Sequence, residues 1–367
     1  MKIIITGGGT GGHIYPAIAI ADHLQQTHPQ TNLLFVGAEG KMEMQHVPAA
    51  GYPILDLPIR GMQSHARWQN LTIPWKLTVS LWKAYRILQD YQPNVVVGTG
   101  GYASAPTVYV AALLGIPTLI QEQNAYAGLA NRWLAPRVRK IAVAYTGMDQ
   151  YFPKEKITLT GSPVRKDIMD PKATKKVACN HLSISPKRTC LLILGGSQGA
   201  HSINQGILTA LPKLMEQNVQ LIWITGPSYL ASVRTQIDPK FHPHIKTFAF
   251  VDRMDLAYAA ADIVVARGGA LSIAELCIAQ KPTILIPSPY VKADHQTQNV
   301  KALVAEQAAI HITDSAAQQD LGPAIVNLLH DADRRKTLAQ NIKRLAKPNA
   351  TEDIVALIQQ LAEPHAA

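Results

Sequence analysis

Five short stretches of this 367-residue chain carry side chains that can do chemistry. In the first, GGGTGGH, His13 follows Gly7, Gly8, Gly9, Thr10, Gly11 and Gly12. Glycines let another molecule approach the backbone closely. A helix start disfavours a protonated imidazole, and the neutral form is the one a general base needs. The second is Gly195-Gly196-Ser197-Gln198-Gly199, whose hydroxyl, amide and backbone N–H groups suit a diphosphate. The third is RGGALSIAE at 267–275, where the two oxygens of Glu275 suit the vicinal hydroxyls of a ribose. The same Ser272 and Glu275 spacing also fits a capping box, a purely structural device. The fourth, Asp294-His295-Gln296-Thr297-Gln298-Asn299, concentrates amides and hydroxyls of the kind that read a sugar. The fifth is Gln121-Glu122-Gln123-Asn124.

Each stretch needs an element to position it, and the pattern supplies one. Ile3, Ile4 and Ile5 read as a buried parallel strand, and Ile14, Ala17, Ile18, Ala21 and Leu24 recur at helical spacing, with Pro16 near the helix start. Strand, glycine loop and helix together form a phosphate-binding layout. It returns at 95–102, where VVV precedes GTGGY, and again at 190–199. Further apolar runs at 33–36, 54–57, 118–121, 141–144, 221–225, 245–249, 263–266 and 283–286 alternate with helical patterns. Such alternation predicts α/β domains with doubly wound parallel sheets, whose ligands sit at the carboxyl ends of the strands. The polar residues of 121–124 follow one such strand. TGSPV at 160–164 reads as a strand end, and 172–188 is poorly patterned, so the domain boundary is placed near 161–165. This gives domains 1–163 and 164–340, with a charged helical tail at 341–367 able to pack back on the first.

Composition narrows the partners. The formal net charge is +10, from 35 Lys and Arg against 25 Asp and Glu, which favours anionic partners. No dense basic run interleaved with aromatics is present, which argues against nucleic acid. Cys179, Cys190 and Cys277 are scattered without metal-ligand spacing, and no carboxylate cluster or Asp-x-Asp pattern points to a metal. The first residues are already strand and phosphate loop, and the most apolar segment, 108–120, is broken by Gly115 and Pro117. A cytoplasmic chain with at most peripheral membrane contact is therefore expected.

Six motifs in order carry a family resemblance over nearly the whole chain: GGGTGGHIYPAIAIA, VVVGTGGYASAP, QEQNAYAGLANRWLA, GSPVR, GGSQGAHSIN and RGGALSIAELCIAQKPTILIPSPYVKADHQTQNV. The chain resembles the MurG family of peptidoglycan-synthesising N-acetylglucosaminyltransferases. The resemblance implies the GT-B architecture, two Rossmann-like domains facing across a cleft. It implies inverting transfer of GlcNAc from UDP-GlcNAc to the C4 hydroxyl of the muramoyl sugar of undecaprenyl-linked lipid I, giving lipid II. No cofactor is implied. The implied setting is the cytoplasmic face of the bacterial inner membrane, with an anionic membrane surface and other cell-wall synthesis proteins as partners.

By motif, the resemblance places Arg165, Ser197, Val251, Ala270, Leu271, Ser272, Ile273, Ala274, Glu275 and Gln296 on the donor. Ser197 falls at the diphosphate, Val251 at uracil through its backbone, Glu275 at the ribose, and Gln296, with His295, at the GlcNAc hydroxyls. Thr10, Gly11, Gly12 and Asn124 join the donor from the first domain. Tyr102, Glu122 and Asn124 fall on the acceptor side. His13 is the expected base and Glu122 the alternative. Many family members read HEQN where this chain has Gln121 before Glu122, so a role for that histidine has no counterpart here.

The stretch RWQNLTIPWKLTVSLWKAYRIL at 67–88 carries two apolar stripes. Leu77, Leu81, Ala84 and Leu88 are expected to face the core. Trp75, Val79 and Trp82, with Trp68 just before and Lys76, Lys83 and Arg86 alongside, are expected to face lipid. Rival readings are an NAD-dependent oxidoreductase using 7–12 with Glu39, a UDP-sugar epimerase or other GT-B glycosyltransferase, and a non-catalytic lipid- or sugar-binding protein.

Overall fold

Ile3, Ile4 and Ile5 are all fully buried, because the strand they form is covered on both faces. A computed structural model describes residues 1–60, 73–169 and 172–363. The chain folds into two units, Met1–Val164 with Asn349–Ala367, and Arg165–Pro348. In the first unit β1 (Lys2–Thr6), β2 (Asn32–Ala38), β3 (Ile54–Leu57), β4 (Val95–Gly98), β5 (Thr118–Glu122), β6 (Lys140–Val143) and β7 (Ile157–Leu159) form one parallel sheet. Its order is β3-β2-β1-β4-β5-β6-β7, so the winding reverses between β1 and β4.

Side chains alternate between the two faces. Ile4, Leu34, Val36, Val96, Ile120 and Ile141 share one core with Ala84, Leu88, Val108 and Leu134 of the helices Ile73–Tyr91, Ser104–Leu113 and Leu129–Leu134. Ile3, Ile5, Phe35, Val97 and Leu119 share the other with Ile14, Ile20 and Leu24 of helix Gly11–Thr27. Ile354, Ile358 and Leu361 of helix Ala350–Ala362 enter that second core, so the chain's last helix completes the first unit.

The second unit repeats the plan. Its strands β8 (Thr189–Leu194), β9 (Val219–Ile224), β10 (Ile245–Phe248), β11 (Ile263–Ala266), β12 (Thr283–Leu285) and β13 (Ile310–His311) are parallel, in the order β10-β9-β8-β11-β12-β13. The winding reverses between β8 and β11. Two strands depart from the sequence expectation. β7 lies at Ile157–Leu159 rather than ending at 160–164, and the two-residue β13 is too short to leave a periodic signal. Within 172–188 a helix forms at Lys175–His181, with Thr174 capping it through the Val177 N–H. All three cysteines are buried and unpaired.

Candidate active site

In the first unit, the loops after β1, β4 and β5 meet where the winding reverses, the usual ligand position in an open parallel sheet. Helix Gly11–Thr27 begins after Thr10, with no side-chain cap bond and no acid in its first turn among the described residues. His13 sits on that first turn, half-buried. Its Nδ1 is 3.0 Å from Thr10 Oγ1, and its backbone carbonyl accepts from Thr99 Oγ1 at 2.8 Å. Its ring lies against Gly100, where a Cβ would come within 2.7 Å of Cδ2. The histidine is thus fixed by both glycine loops.

Glu122 ends β5 and is 2% exposed. Its Oε1 accepts from the Asn124 N–H and from Asn124 Nδ2, both at 3.1 Å. Its Oε2 accepts from the Gly128 N–H and from Asn131 Nδ2, both at 2.9 Å. Four donors on one buried carboxylate make it the clamp of the 123–128 loop and occupy both of its oxygens. Asn124 is drawn into this clamp. Gln121 points to the other face of the sheet, fully buried, with neither amide atom hydrogen-bonded among the described residues.

Tyr102 packs its ring over Gly9, and burial, followed by the charge of Glu43, pushes its phenol above the ordinary range. Glu43 is itself fully buried. Its carboxylate accepts from the Gly9 and Ala38 N–H groups, each at 3.0 Å. A Cβ on Gly8 would lie 2.1 Å from Glu43 Oε1, so this approach requires glycine there. A carboxylate on the Gly9 N–H takes the place a dinucleotide pyrophosphate would fill and repels one. Glu39, which the dinucleotide reading needs on a ribose, is exposed beyond the end of β2.

In the second unit, the loops after β8, β9, β10, β11 and β12 gather the remaining candidates. Ser197 is exposed on a turn closed by the Gly199 N–H to Gly196 O bond, ahead of helix His201–Glu216, whose start also lacks a side-chain cap. Gly199 has φ +84°, and a Cβ there would meet Thr225 O at 2.2 Å, so turn and loop are locked by backbone contact.

Helix Ala270–Ala279 starts after Gly269. Ser272 and Glu275 therefore lie inside the helix, and the capping box does not form. Glu275 is 6% exposed. Its Oε2 accepts from the Tyr258 hydroxyl at 3.0 Å, and its Oε1 lies 3.7 Å from Arg165 Nε. Burial pushes its carboxyl above the ordinary range, and the Arg165 charge and the Tyr258 hydrogen bond oppose that. Arg165 also donates to Asp252 O at 3.4 Å, beside the buried Val251. Arg165, Val251 and Glu275 therefore meet at one place.

Ala270, Leu271, Ser272 and Ala274 are partly exposed around that place, and Ile273 is buried. Gln296 opens the helix His295–Ala305, and its Oε1 accepts from the Ser288 N–H at 2.8 Å, fixing the loop after β12.

The tryptophan stripe is exposed. On helix Ile73–Tyr91, Trp75 is 73% and Trp82 62% exposed, with Val79 partly so. Leu77, expected in the core, is 40% exposed. Among the described side chains of this helix, burial begins at Ser80 and continues through Ala84, Ile87 and Leu88, so Leu77 precedes the covered part. Arg86 lies over the Trp82 ring at 5.7 Å, whereas Lys83 is paired with Asp56 at 3.0 Å. Arg67 and Trp68 lie outside the described residues. No helix among those described is long and apolar enough to cross a membrane, and no group of three His, Cys, Asp or Glu among them is placed to hold a metal.

Residues 3–143 match the glycosyltransferase family 28 N-terminal domain, and 190–354 the glycosyltransferase family 28 C-terminal domain. A UDP-N-acetylglucosamine–N-acetylmuramyl-(pentapeptide) pyrophosphoryl-undecaprenol N-acetylglucosamine transferase of Amoebophilus asiaticus is 49% identical over 98% of this chain and all of its own length. The Flavobacterium psychrophilum protein of the same name is 47% identical over 99% of this chain and 98% of its own. The crystal structure of Acinetobacter baumannii MurG superposes with a TM-score of 0.80 at 28% identity, covering 98% of this chain and 99% of that one. The chain belongs to the MurG family.

As a member of the MurG family it is a glycosyltransferase with the GT-B fold. Three site-building residues escaped the sequence analysis. Glu43 latches the first glycine loop. Tyr258 holds Glu275. Arg267, read only as part of its motif, donates to Ile286 O at 3.1 Å and Pro287 O at 3.3 Å, and pairs with Asp314. For Arg267 the signal was a cation directly before Gly268 and Gly269, whereas Glu43 lies 34 residues from the loop it latches. Nothing in the sequence singles out Tyr258, 17 positions before its partner.

Proposed function

We propose that this protein moves GlcNAc from UDP-GlcNAc to the C4 hydroxyl of the muramoyl sugar of lipid I, releasing UDP and giving lipid II. Inverting transfer is one in-line displacement at the anomeric carbon. It needs a base for the acceptor hydroxyl and positive potential for the departing diphosphate.

His13 is the base. Its Nδ1 contact with Thr10 Oγ1 fixes the ring, and an N–H on Nδ1 leaves Nε2 as the accepting nitrogen. The open start of helix His201–Glu216, with the Ser197 turn, supplies the potential for UDP. Glu275 takes the ribose hydroxyls, the Val251 backbone reads uracil, and Gln296 with His295 faces the GlcNAc hydroxyls. The Arg165–Pro348 unit thus serves the donor. The unit built from Met1–Val164 and the last helix serves the acceptor, with Tyr102 and the Glu122-clamped loop on that side. The reaction so written draws its charge stabilisation from helix ends and requires no cofactor.

The observation that carries this reading is the carboxylate of Glu275. It is buried beside Arg165 and the Val251 loop, at the carboxyl ends of the second sheet. An ionisable group perturbed by burial and by a specific charge partner, at the ligand end of an open sheet, marks a site with a task. The exposed Trp75 and Trp82, with Arg86 and Lys76 nearby, are assigned to an anionic membrane surface, where a polyprenyl-linked acceptor resides. On this reading the protein works peripherally, at the cytoplasmic face of the inner membrane.

The test is transfer of labelled GlcNAc from UDP-GlcNAc to a lipid I analogue, with NADH binding as the control. Labelled lipid II without NADH binding is expected. No transfer, or epimerisation of the donor alone, refutes the reading.

A further inference from the structure

Glu275 has two oxygens with different surroundings. Oε1 faces Arg165, a side chain about one-third exposed, whereas Oε2 meets the hydroxyl of Tyr258, which is 3% exposed. Tyr258 stands on helix Met254–Ala260. That helix is anchored at its start by Arg253, which grips the buried Asp255 with Nε at 2.9 Å and Nη2 at 2.6 Å. It follows directly on Val251 and Asp252, the loop to which Arg165 donates. The phenol is thus a rigid donor, set by the same backbone that carries the uracil-reading loop.

A free carboxylate on a helix rotates about its last side-chain torsion, which is broad. A hydrogen bond to one oxygen stops that rotation. It leaves Oε1, and the second acceptor direction of Oε2, in fixed positions.

We propose that Tyr258 is a positioning residue for ribose recognition: its hydroxyl fixes the Glu275 carboxylate so that the carboxylate reads the 2′-hydroxyl of the nucleotide. This rests on the assignment of Glu275 to the ribose. Tyr258 touches no substrate and acts only through Glu275. Removing its hydroxyl leaves the aromatic packing in place and lets the carboxylate turn.

The test uses the full-length protein and compares binding of UDP and 2′-deoxyuridine diphosphate to wild type, Tyr258→Phe and Glu275→Gln. Wild type is expected to prefer UDP by roughly tenfold or more, the size of a hydrogen bond to a charged group. Tyr258→Phe is expected to bind UDP more weakly and to lose most of that preference. Glu275→Gln is expected to lose the preference as well, and adding Tyr258→Phe to it changes nothing further. If wild type binds the two nucleotides alike, the ribose assignment of Glu275 fails. If wild type discriminates and Tyr258→Phe discriminates equally, Glu275 keeps its role and the positioning role of Tyr258 is overturned. A Tyr258→Phe effect that persists undiminished in the Glu275→Gln background also overturns it, because the phenol then acts by another route.

Discussion

Replacing Trp75 and Trp82 together by serine separates a lipid-facing stripe from a structural one. The two rings are 73% and 62% exposed, so folding draws little from them. Surface substitutions of this kind change stability by about 0.5 kcal/mol or less, and the melting temperature should move by only a few degrees. Their free area is a different matter. With ~150–250 Å² per aromatic side chain, the two offer on the order of 250 Å² to a partner. At ~25 cal/mol per Å², full insertion is worth roughly 6 kcal/mol. Insertion to half that depth still implies a loss of about a hundredfold in vesicle partitioning. Lys76 and Arg86 add ~1 kcal/mol each near an anionic surface. Lys83 adds less, because Asp56 already pairs with it at 3.0 Å. The assay is co-sedimentation with phosphatidylglycerol-containing vesicles at several salt concentrations, run beside transfer to a short soluble acceptor. The expected variant is folded, active on the soluble acceptor and absent from the vesicle pellet. Undiminished sedimentation places the lipid contact elsewhere, and an unfolded variant shows that the stripe serves the fold.

Three further outcomes are expected. His13→Ala should lower kcat by ~10²–10⁴-fold while UDP binding stays intact, and the loss of rate on acidification should vanish; survival of that acid limb removes His13 as the base. Glu275→Gln should weaken UDP-GlcNAc binding by ~1.5–3 kcal/mol. It should also raise the melting temperature near pH 8. Burial lifts the folded-state carboxyl above its unfolded value, so its ionisation costs stability above the folded-state range, and that cost fades as pH falls toward the unfolded value. A variant less stable than wild type near pH 8 contradicts this. Glu43→Gln, which cannot accept through both of its terminal atoms, should leave the Gly9 or the Ala38 N–H unpaired. The expected loss is ~1–3 kcal/mol of stability, with transfer lowered and UDP affinity unchanged; an unaltered urea midpoint would sink the latch assignment.

The sequence by itself determined the architecture and the family. Unbroken apolar runs such as 3–5, 95–97 and 190–194, each followed closely by glycines, read as strands buried on both faces. The glycine loops behind them dictate where the winding opens, and six ordered motifs identify the chain. These signals are local, because a strand's periodicity and a loop's glycines are written in adjacent residues. What the tertiary structure decided is which polar groups meet over long separations. Glu43 reaches back 34 residues to the Gly9 N–H and fills the anion position that the dinucleotide pattern seemed to offer. Four donors converge on Glu122 and make it the clamp of the loop that follows β5. Helix Ala270–Ala279 begins three residues before the capping-box spacing implied, with Gly269 rather than Ser272 at its cap, and Glu275 meets Tyr258 and Arg165 instead. Leu77 fell outside the core because helical periodicity gives the direction of a side chain but not how far along the helix the sheet beneath it extends. Burial and hydrogen-bond partnership depend on what the fold brings alongside, and that information is not carried by any one stretch of the chain.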